Sequence, residues 1–329
     1  MLKLINIGTN EDNTHIIINI LGIKFSIKKK DYAENYRRFN YFKKNNIDIT
    51  TFPKATGQMR DIQLANLKIL MFFDKLCKEN NLTYWLDFGT LLGAVRHKGY
   101  IPWDDDIDIS MMREDYEKVF DIVNNNKYDC DIYAEHYHSQ NYPGKYFHTK
   151  IKHKKYPYLF VDIFPSDFLG KVLTYEEQQS ITEKFKEKCE ETFEAYPSNP
   201  SDKLIRNCIK KAMQELTYND VDNKISDIVW GIDFKHRWSN WVHPNKMIFP
   251  LKKIKYEGFL LNVPNDYDAY LKDVFGNYMD YPKDIKRIHS AYMDINENLK
   301  KFEINTGDSD DTPKTLVVPE RENSSSCSE

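Results

Sequence analysis

The run L-D-F-G-T-L-L-G-A-V-R-H-K-G-Y-I-P-W-D-D-D-I-D-I-S-M-M, from Leu86 to Met112, places Asp104, Asp105, Asp106 and Asp108 within five consecutive positions. Ile107 and Ile109 alternate with the last two acids, which predicts a half-buried strand over about Asp105 to Met111. On such a strand Asp106 and Asp108 share one face while the isoleucines enter a core. Like charges held roughly 7 Å apart repel unless a cation lies between them. Hard divalent cations prefer carboxylate oxygens and leave positions open for phosphate oxygens, so the pair is a candidate Mg²⁺ or Mn²⁺ site. Acidic runs are commonly solvated loops. The apolar flanks argue otherwise here, because carboxylates at the edge of a hydrophobic sheet are costly without a partner.

Upstream, Thr83 to Asp87 reads as a short strand, followed by a short helix from Leu91 to His97 that ends near Gly99. Gly89-Thr90 at the entry to that helix offers a close-approach backbone and helix N-terminal N–H groups for a phosphate, although Thr90 also suits a plain helix cap. Arg96, His97 and Lys98 gather donors between this turn and the acids. Arg96 can bridge two phosphate oxygens, while a cation in the last helical turn is favoured structurally in any case. A single His needs no special role. Trp103, after the rigid Pro102, either stacks on a base or braces the acidic loop, with bracing the simpler account.

Elsewhere, His15 to Ile20 and the alternating residues around Phe25 and Ile27 form an expected β-hairpin turning at Leu21-Gly22. A one-faced apolar pattern from Gly57 to about Asn80 predicts a long helix ended by Asn80-Asn81. A helix follows from Arg113 to about Asn125, with Glu114 and Asp115 suiting its dipole, and strands are expected at 128–134, 146–152 and 158–164. Residues 175–218 read as two helices broken near Pro197 and Pro200. From about Thr306 the composition predicts a disordered tail. The order of elements describes an α/β (α+β) protein with a mixed sheet flanked by helices. Its expected divisions are a hairpin extension at 1–50, a catalytic domain at 51–305 and the tail at 306–329.

With 329 residues and 41% hydrophobic side chains the chain can bury one large core or a core with a small appendage. A formal charge of −3 gives no overall basic field, so nucleic acid is not an expected partner. The five cysteines, Cys77, Cys130, Cys189, Cys208 and Cys327, form no C-x-x-C pair, and neither structural zinc nor a disulfide framework is expected. The start of the chain lacks the pattern of a signal peptide and no apolar run is long enough to span a bilayer, so the expected location is cytoplasmic.

The string from Gly89 to Ile109 strongly resembles the signature of the LicD family, which includes bacterial lipopolysaccharide cholinephosphotransferases and the animal proteins fukutin and fukutin-related protein. The similarity continues through Val161-Asp162-Ile163-Phe164-Pro165, Phe249-Pro250-Leu251, Tyr256-Glu257-Gly258, Pro264, Tyr270-Leu271, Gly276 and Tyr278, covering about residues 58–285. The resemblance implies a nucleotidyltransferase-type core, with Gly89 and Thr90 as the donor-phosphate turn and Asp106 and Asp108 as metal ligands. It also implies that Asp162, by residue type alone an ordinary strand Asp, is the third catalytic and metal-binding carboxylate. Arg96 joins the donor-phosphate group; Asp104, Asp105, His97 and Lys98 are secondary candidates. Gly-Thr stands where the wider superfold often has Gly-Gly or Gly-Ser, a departure that preserves a hydroxyl.

The reaction so implied uses Mg²⁺ or Mn²⁺ to move a phospho-alcohol, of the phosphocholine, glycerol phosphate or ribitol phosphate class, from a CDP-activated donor to a sugar hydroxyl of a surface glycan, releasing CMP. Three alternatives stay open: an NTP-using nucleotidyltransferase, a D-x-D glycosyltransferase, and a non-catalytic glycan-binding module. Residues 1–50 carry nine Lys or Arg against five Asp or Glu. A solvated surface accounts for such an excess, and peripheral contact with the inner face of an anionic membrane, or with a lipid-linked glycan, is the functional alternative. The contact predicts that anionic liposomes at low salt float the full-length chain more efficiently than a chain starting at Phe52; equal flotation excludes it.

Overall fold

The structure is a computed structural model that describes residues 5–9, 15–20, 23–28, 30–129, 131–138, 147–169, 227–230, 242–285 and 299–305, with Glu176, Ser180 and Glu187 as isolated positions. It opens with a three-stranded antiparallel sheet, β1 (Ile5–Thr9), β2 (His15–Ile20) and β3 (Ile23–Lys28). The expected hairpin is present as β2 and β3, in the register Ile16 opposite Ile27; its turn, Leu21-Gly22, lies outside the described residues. β1 and the following α1 (Lys30–Lys44) are additions to the sequence reading. α1 buries Phe39 edge-on against Trp103, their ring centroids 5.2 Å apart.

α2 (Gly57–Glu79) is the helix that apolar periodicity foretells. Met59, Ile62, Leu67, Leu70, Phe73 and Leu76 are all buried, and Asn80 caps the end while Asn81 takes a left-handed conformation. Next come β4 (Tyr84–Leu86), α3 (Phe88–His97), β5 (Asp108–Met112), α4 (Arg113–Asn124), β6 (Ile132–His138), β7 (Phe147–His153) and β8 (Phe160–Leu169). Beyond them lie β9 (Asp227–Trp230), β10 (Val242–His243), the short α5 (Asn245–Ile248), a hairpin of β11 (Lys252–Tyr256) and β12 (Phe259–Val263), and α6 (Tyr267–Phe275). The two helices expected within 175–218 and the tail from 306 lie outside the described residues, apart from the three isolated positions.

β4 to β10 form one seven-stranded mixed sheet. β5 and β8 run parallel at its centre, and every other pairing is antiparallel. β8 forks: its first half, Phe160 to Ile163, pairs with β7, its last half, Ser166 to Leu169, pairs with β9, and β5 lies along the opposite edge. Strand alternation sends Ile109, Met111, Val161 and Ile163 to one face, where they are fully buried with α2 and α4 packed nearby. The other face receives Asp108 and Asp162.

The first strand boundary needs correction. β5 begins at Asp108, so Asp106 belongs to an irregular lead-in and not to the strand. The lead-in is fixed by two buried amides of α2. Gln63 Nε2 donates to the Asp104 carbonyl at 2.7 Å and Asn66 Nδ2 to the Asp105 carbonyl at 2.8 Å, while Asn66 Oδ1 accepts from the Phe160 N–H at 2.9 Å. Such side chains satisfy backbone groups that a ladder would otherwise have to pair.

A second buried hub, Glu257 at the β11–β12 turn, secures the other side of the lead-in. Arg60 grips its carboxylate with both nitrogens at 3.0 and 2.7 Å, Lys54 reaches it at 2.6 Å, and the Tyr100 N–H donates to it at 3.1 Å. Arg60 also donates to Gln63 Oε1 at 3.1 Å, linking the hub to the amide that holds Asp104. Gly99 is required there, because a Cβ on it would stand 2.2 Å from Glu257 Oε1. Glu257→Ala leaves Arg60 largely buried without its counter-charge and should cost about 3 kcal/mol in urea unfolding. Lys54→Ala, at the half-exposed end of the pair, should cost under about 1 kcal/mol.

Candidate active site

The site is built from the seam between α3 and β5. After β4 the chain turns at Asp87, whose buried carboxylate caps the Phe88 N–H at 2.7 Å and accepts from Ser110 Oγ at 2.5 Å and from the Tyr270 hydroxyl at 2.6 Å. Burial pushes the Asp87 carboxyl up, and these hydrogen bonds only partly offset it. The Asp87 N–H donates to the Asp108 carbonyl at 3.1 Å, and the Asp108 N–H donates to Thr90 Oγ1 at 2.8 Å. Asp87 is therefore the cap of α3, and Thr90 spends its hydroxyl oxygen on fastening the helix to the first residue of β5. Gly89 lies beneath the acids: a Cβ there would stand 2.9 Å from Asp104 Oδ2 and 4.0 Å from Asp108 Oδ2.

Asp104, Asp105 and Asp106 bring one carboxylate oxygen each within 4.8 Å of one another. Asp108 and Asp162 stand outside that trio but next to it. Asp108 is directly opposite Asp162 in the parallel register of β5 and β8, and the Asp162 N–H donates to the Ile107 carbonyl at 2.8 Å. Burial pushes the Asp108 carboxyl well above the usual carboxylate range, and the charges of Asp106, Asp162, Asp104 and Asp87 push it further.

Asp162 has the opposite environment. Lys150, opposite it on β7, bonds both of its oxygens at 2.6 and 2.8 Å, and His148 Nε2 lies 3.3 Å from Oδ1. Burial alone would raise this carboxyl, but Lys150 and then His148 outweigh it and hold it at about 2. Two adjacent carboxylates on one face are thus driven apart, one toward its proton and one firmly ionised.

Arg96, His97 and Lys98 do not form a cluster of donors aimed at the acids. Arg96 is buried, with Nη1 on the Tyr278 carbonyl at 2.6 Å, Nε on His97 Nε2 at 3.0 Å, and its guanidinium carbon 6.0 Å from the Trp103 ring. Desolvation lowers it to about 10. His97 accepts from Arg96 and is held neutral, lowered to about 3 by burial and by that neighbouring charge. Lys98 is exposed and closes α3 in a left-handed conformation, its carbonyl accepting from the Glu257 N–H at 3.0 Å. Trp103 braces the loop, buried edge-on among Phe39, Phe52 and His97.

Asp87, His148 and Lys150 have no place in the sequence reading of the site. The pattern did hold a signal for the last two: His148 and Lys150 alternate along a strand expected beside that of Asp162. Only the register reveals which residue each one meets.

Comparison with known proteins agrees with this geometry. Residues 81–204 match the LicD/FKTN/FKRP nucleotidyltransferase domain, a span that holds every residue just described from Asp87 to Asp162. Over 252 residues the chain is 29% identical to the lipopolysaccharide cholinephosphotransferase LicD of Haemophilus influenzae, covering 68% of this chain and 92% of that protein. An uncharacterized protein of Rickettsia prowazekii is 31% identical over 153 residues, 34% of this chain and 56% of that one. A segment of 32 residues, 10% of this chain, is 56% identical to mouse ribitol 5-phosphate transferase FKRP, of which it covers 6%. With acids from β5 and β8 set on one face, residues 81–204 carry a LicD-type nucleotidyltransferase domain, and the chain as a whole is similar to LicD along nearly the whole length of that relative.

Proposed function

We propose that this chain is a metal-dependent phosphotransferase that moves a phospho-alcohol from a CDP-activated donor to a sugar hydroxyl of a cell-surface glycan, releasing CMP. The observation that carries the reading is the face shared by Asp108 and Asp162, with Asp104, Asp105 and Asp106 converging beside it at the first turn of α3. The relatives support the general class: one is a cholinephosphotransferase and another a ribitol 5-phosphate transferase, and both names describe transfer of a phosphorylated alcohol.

The donor set fits a divalent cation. The acids at this face offer hard oxygen ligands, and Asp108 is pushed toward its proton by burial and then by neighbouring negative charges that a cation would neutralise. When bound, Mg²⁺ or Mn²⁺ supplies charge neutralisation for the donor diphosphate and for the departing nucleotide. Asp106, Asp108 and Asp162 are the proposed ligands, with Asp104 and Asp105 as flanking acids. Asp162 is a poor proton acceptor while Lys150 holds it at about 2, so its role is to bind and orient. The first turn of α3, at Gly89 and Thr90, directs its dipole toward the donor phosphates. Arg96, anchored on Tyr278, adds a fixed positive charge behind Asp104 and not a mobile clamp. Among the described residues no helix is long and apolar enough to cross a membrane. The proposal has the chain meet its acceptor at the inner face of the membrane.

The leaving group tests the proposal. Incubation with Mg²⁺, a bacterial surface glycan and CDP-choline, CDP-glycerol or CDP-ribitol should yield CMP and a phosphodiester on the glycan, whereas CTP in place of the CDP-alcohol should yield neither. Pyrophosphate as the acceptor-dependent product, with no CMP, would establish the NTP-using alternative instead.

Asp108→Asn should separate stability from function. A carboxyl raised in the folded state destabilises the fold progressively as pH climbs from the unfolded value, near 4, to the folded one. At pH 7 in chelator the variant should therefore melt higher than the parent, by about 2–4 °C if the gain is ~1 kcal/mol. It should also lose the stabilisation that Mg²⁺ gives the parent, and its turnover should fall roughly 100-fold or more. A lower melting temperature in chelator would show that Asp108 is not a strained acid.

A further inference from the structure

Lys150, Asp162 and Asp108 form a row across three neighbouring strands. Lys150 on β7 pairs with Asp162 on β8, and Asp162 pairs with Asp108 on β5. Alternation puts His148 on the same face as Lys150. The row therefore reads cation, anion, anion, and the middle carboxylate has both oxygens committed to one ammonium at 2.6 and 2.8 Å. While Lys150 holds both oxygens, Asp162 offers a divalent cation only its remaining lone pairs, with the ammonium charge directly beside them. Two positive groups brought to one carboxylate also repel strongly in a site with so little exposure; the side chains of Lys150 and Asp162 are 13% and 10% exposed.

The conflict disappears when a second anion enters beside the first. A lysine ammonium is a compact charge on a flexible stem and can swing between neighbouring acceptors, unlike a guanidinium fork. Its alternative partner would be a phosphate oxygen of a donor bound next to Asp162. His148 stays behind at 3.3 Å from Asp162, so the carboxylate is not left without a polar neighbour.

We propose that Lys150 couples metal and donor binding: it occupies Asp162 until the donor diphosphate gives its ammonium another anion, and only then does Asp162 become a ligand. This deepens the reading of the site given above and rests on it. Lys150 is a positioning residue in this scheme. It makes the divalent ion bind weakly alone and tightly with nucleotide, so the acids are not filled by a cation that has no donor to act on.

The test is the affinity for Mn²⁺, followed by electron paramagnetic resonance of the free ion, with and without CDP, in the parent, Lys150→Met and Lys150→Arg. Lys150→Met should bind Mn²⁺ alone roughly tenfold tighter than the parent, and CDP should then strengthen it much less than it strengthens the parent. Lys150→Arg, which keeps the ion pair and holds both oxygens in a rigid fork, should bind Mn²⁺ alone no better than the parent. Melting curves identify a Lys150→Met protein that fails to fold; Lys150→Gln, which keeps a donor for Asp162, then replaces it and should also bind Mn²⁺ alone more tightly. A lysine that merely braces the strand predicts unchanged or weaker Mn²⁺ binding on its removal, and either result overturns the proposal, as does tighter binding by Lys150→Arg. Absence of Mn²⁺ binding by the parent even with CDP would overturn the metal site itself, an outcome distinct from a site that binds Mn²⁺ and ignores Lys150.

Discussion

Negative charges held side by side in a largely enclosed site are the constraint that the architecture answers. Asp108 and Asp162 face each other on neighbouring strands, and Asp104, Asp105 and Asp106 crowd in beside them. Left to itself such a cluster would open toward solvent or take up protons. The protein prevents the first by fixing the backbone that carries the acids. Gln63 and Asn66 hold the carbonyls of Asp104 and Asp105 from below, and Thr90 and Asp87 hold the N–H and carbonyl of Asp108 from the side. None of these anchors places a positive charge on the acids. The backbone that carries the acids is thus fixed by groups that bring no cation of their own.

Positive charge enters at two distances. Lys150 sits directly on Asp162, whereas the Arg60–Glu257 hub acts through Gln63 and the loop at Tyr100. The hub sets two cations, Arg60 and Lys54, on one buried carboxylate, and it lends the loop rigidity without touching the acids. Through it the β11–β12 turn, far along the chain, supports the lead-in. Tyr270 does the same for Asp87 across 183 residues of sequence.

Much of this was legible in the amino-acid order where local pattern governs structure. The periodicity of α2, its Asn80-Asn81 ending and the acidic first turn of α4 depend on neighbours three or four residues away, and they were readable. The start of β5 was not, because the alternation of Asp106 to Ile109 looks like a strand whether or not its backbone is paired in one. What excludes Asp106 from the ladder is a pair of amides some 40 residues upstream. α1 escaped notice for a related reason: its sequence is largely polar, and the burial of Phe39 depends on Trp103 and Tyr281 arriving from elsewhere. At the site, Asp108 could be singled out by residue type and spacing. Lys150 could not, since a lysine in a strand becomes informative only when register sets it opposite an acid.

The fork in β8 has a bearing on how such a protein can diversify. Leu169, the last residue of β8, and Asp227, the first of β9, are register partners. Whatever lies between two residues that share one rung of a ladder has its ends already together, and the entropic cost of closing a chain grows only slowly with its length, by about 0.6 kcal/mol per doubling. Asp162 lies on the other half of the same strand, on the far side of the fork. Insertions and deletions between Leu169 and Asp227 are therefore absorbed at the exit rung, and descendants of this fold could remodel that segment while inheriting the row of Lys150, Asp162 and Asp108 unchanged.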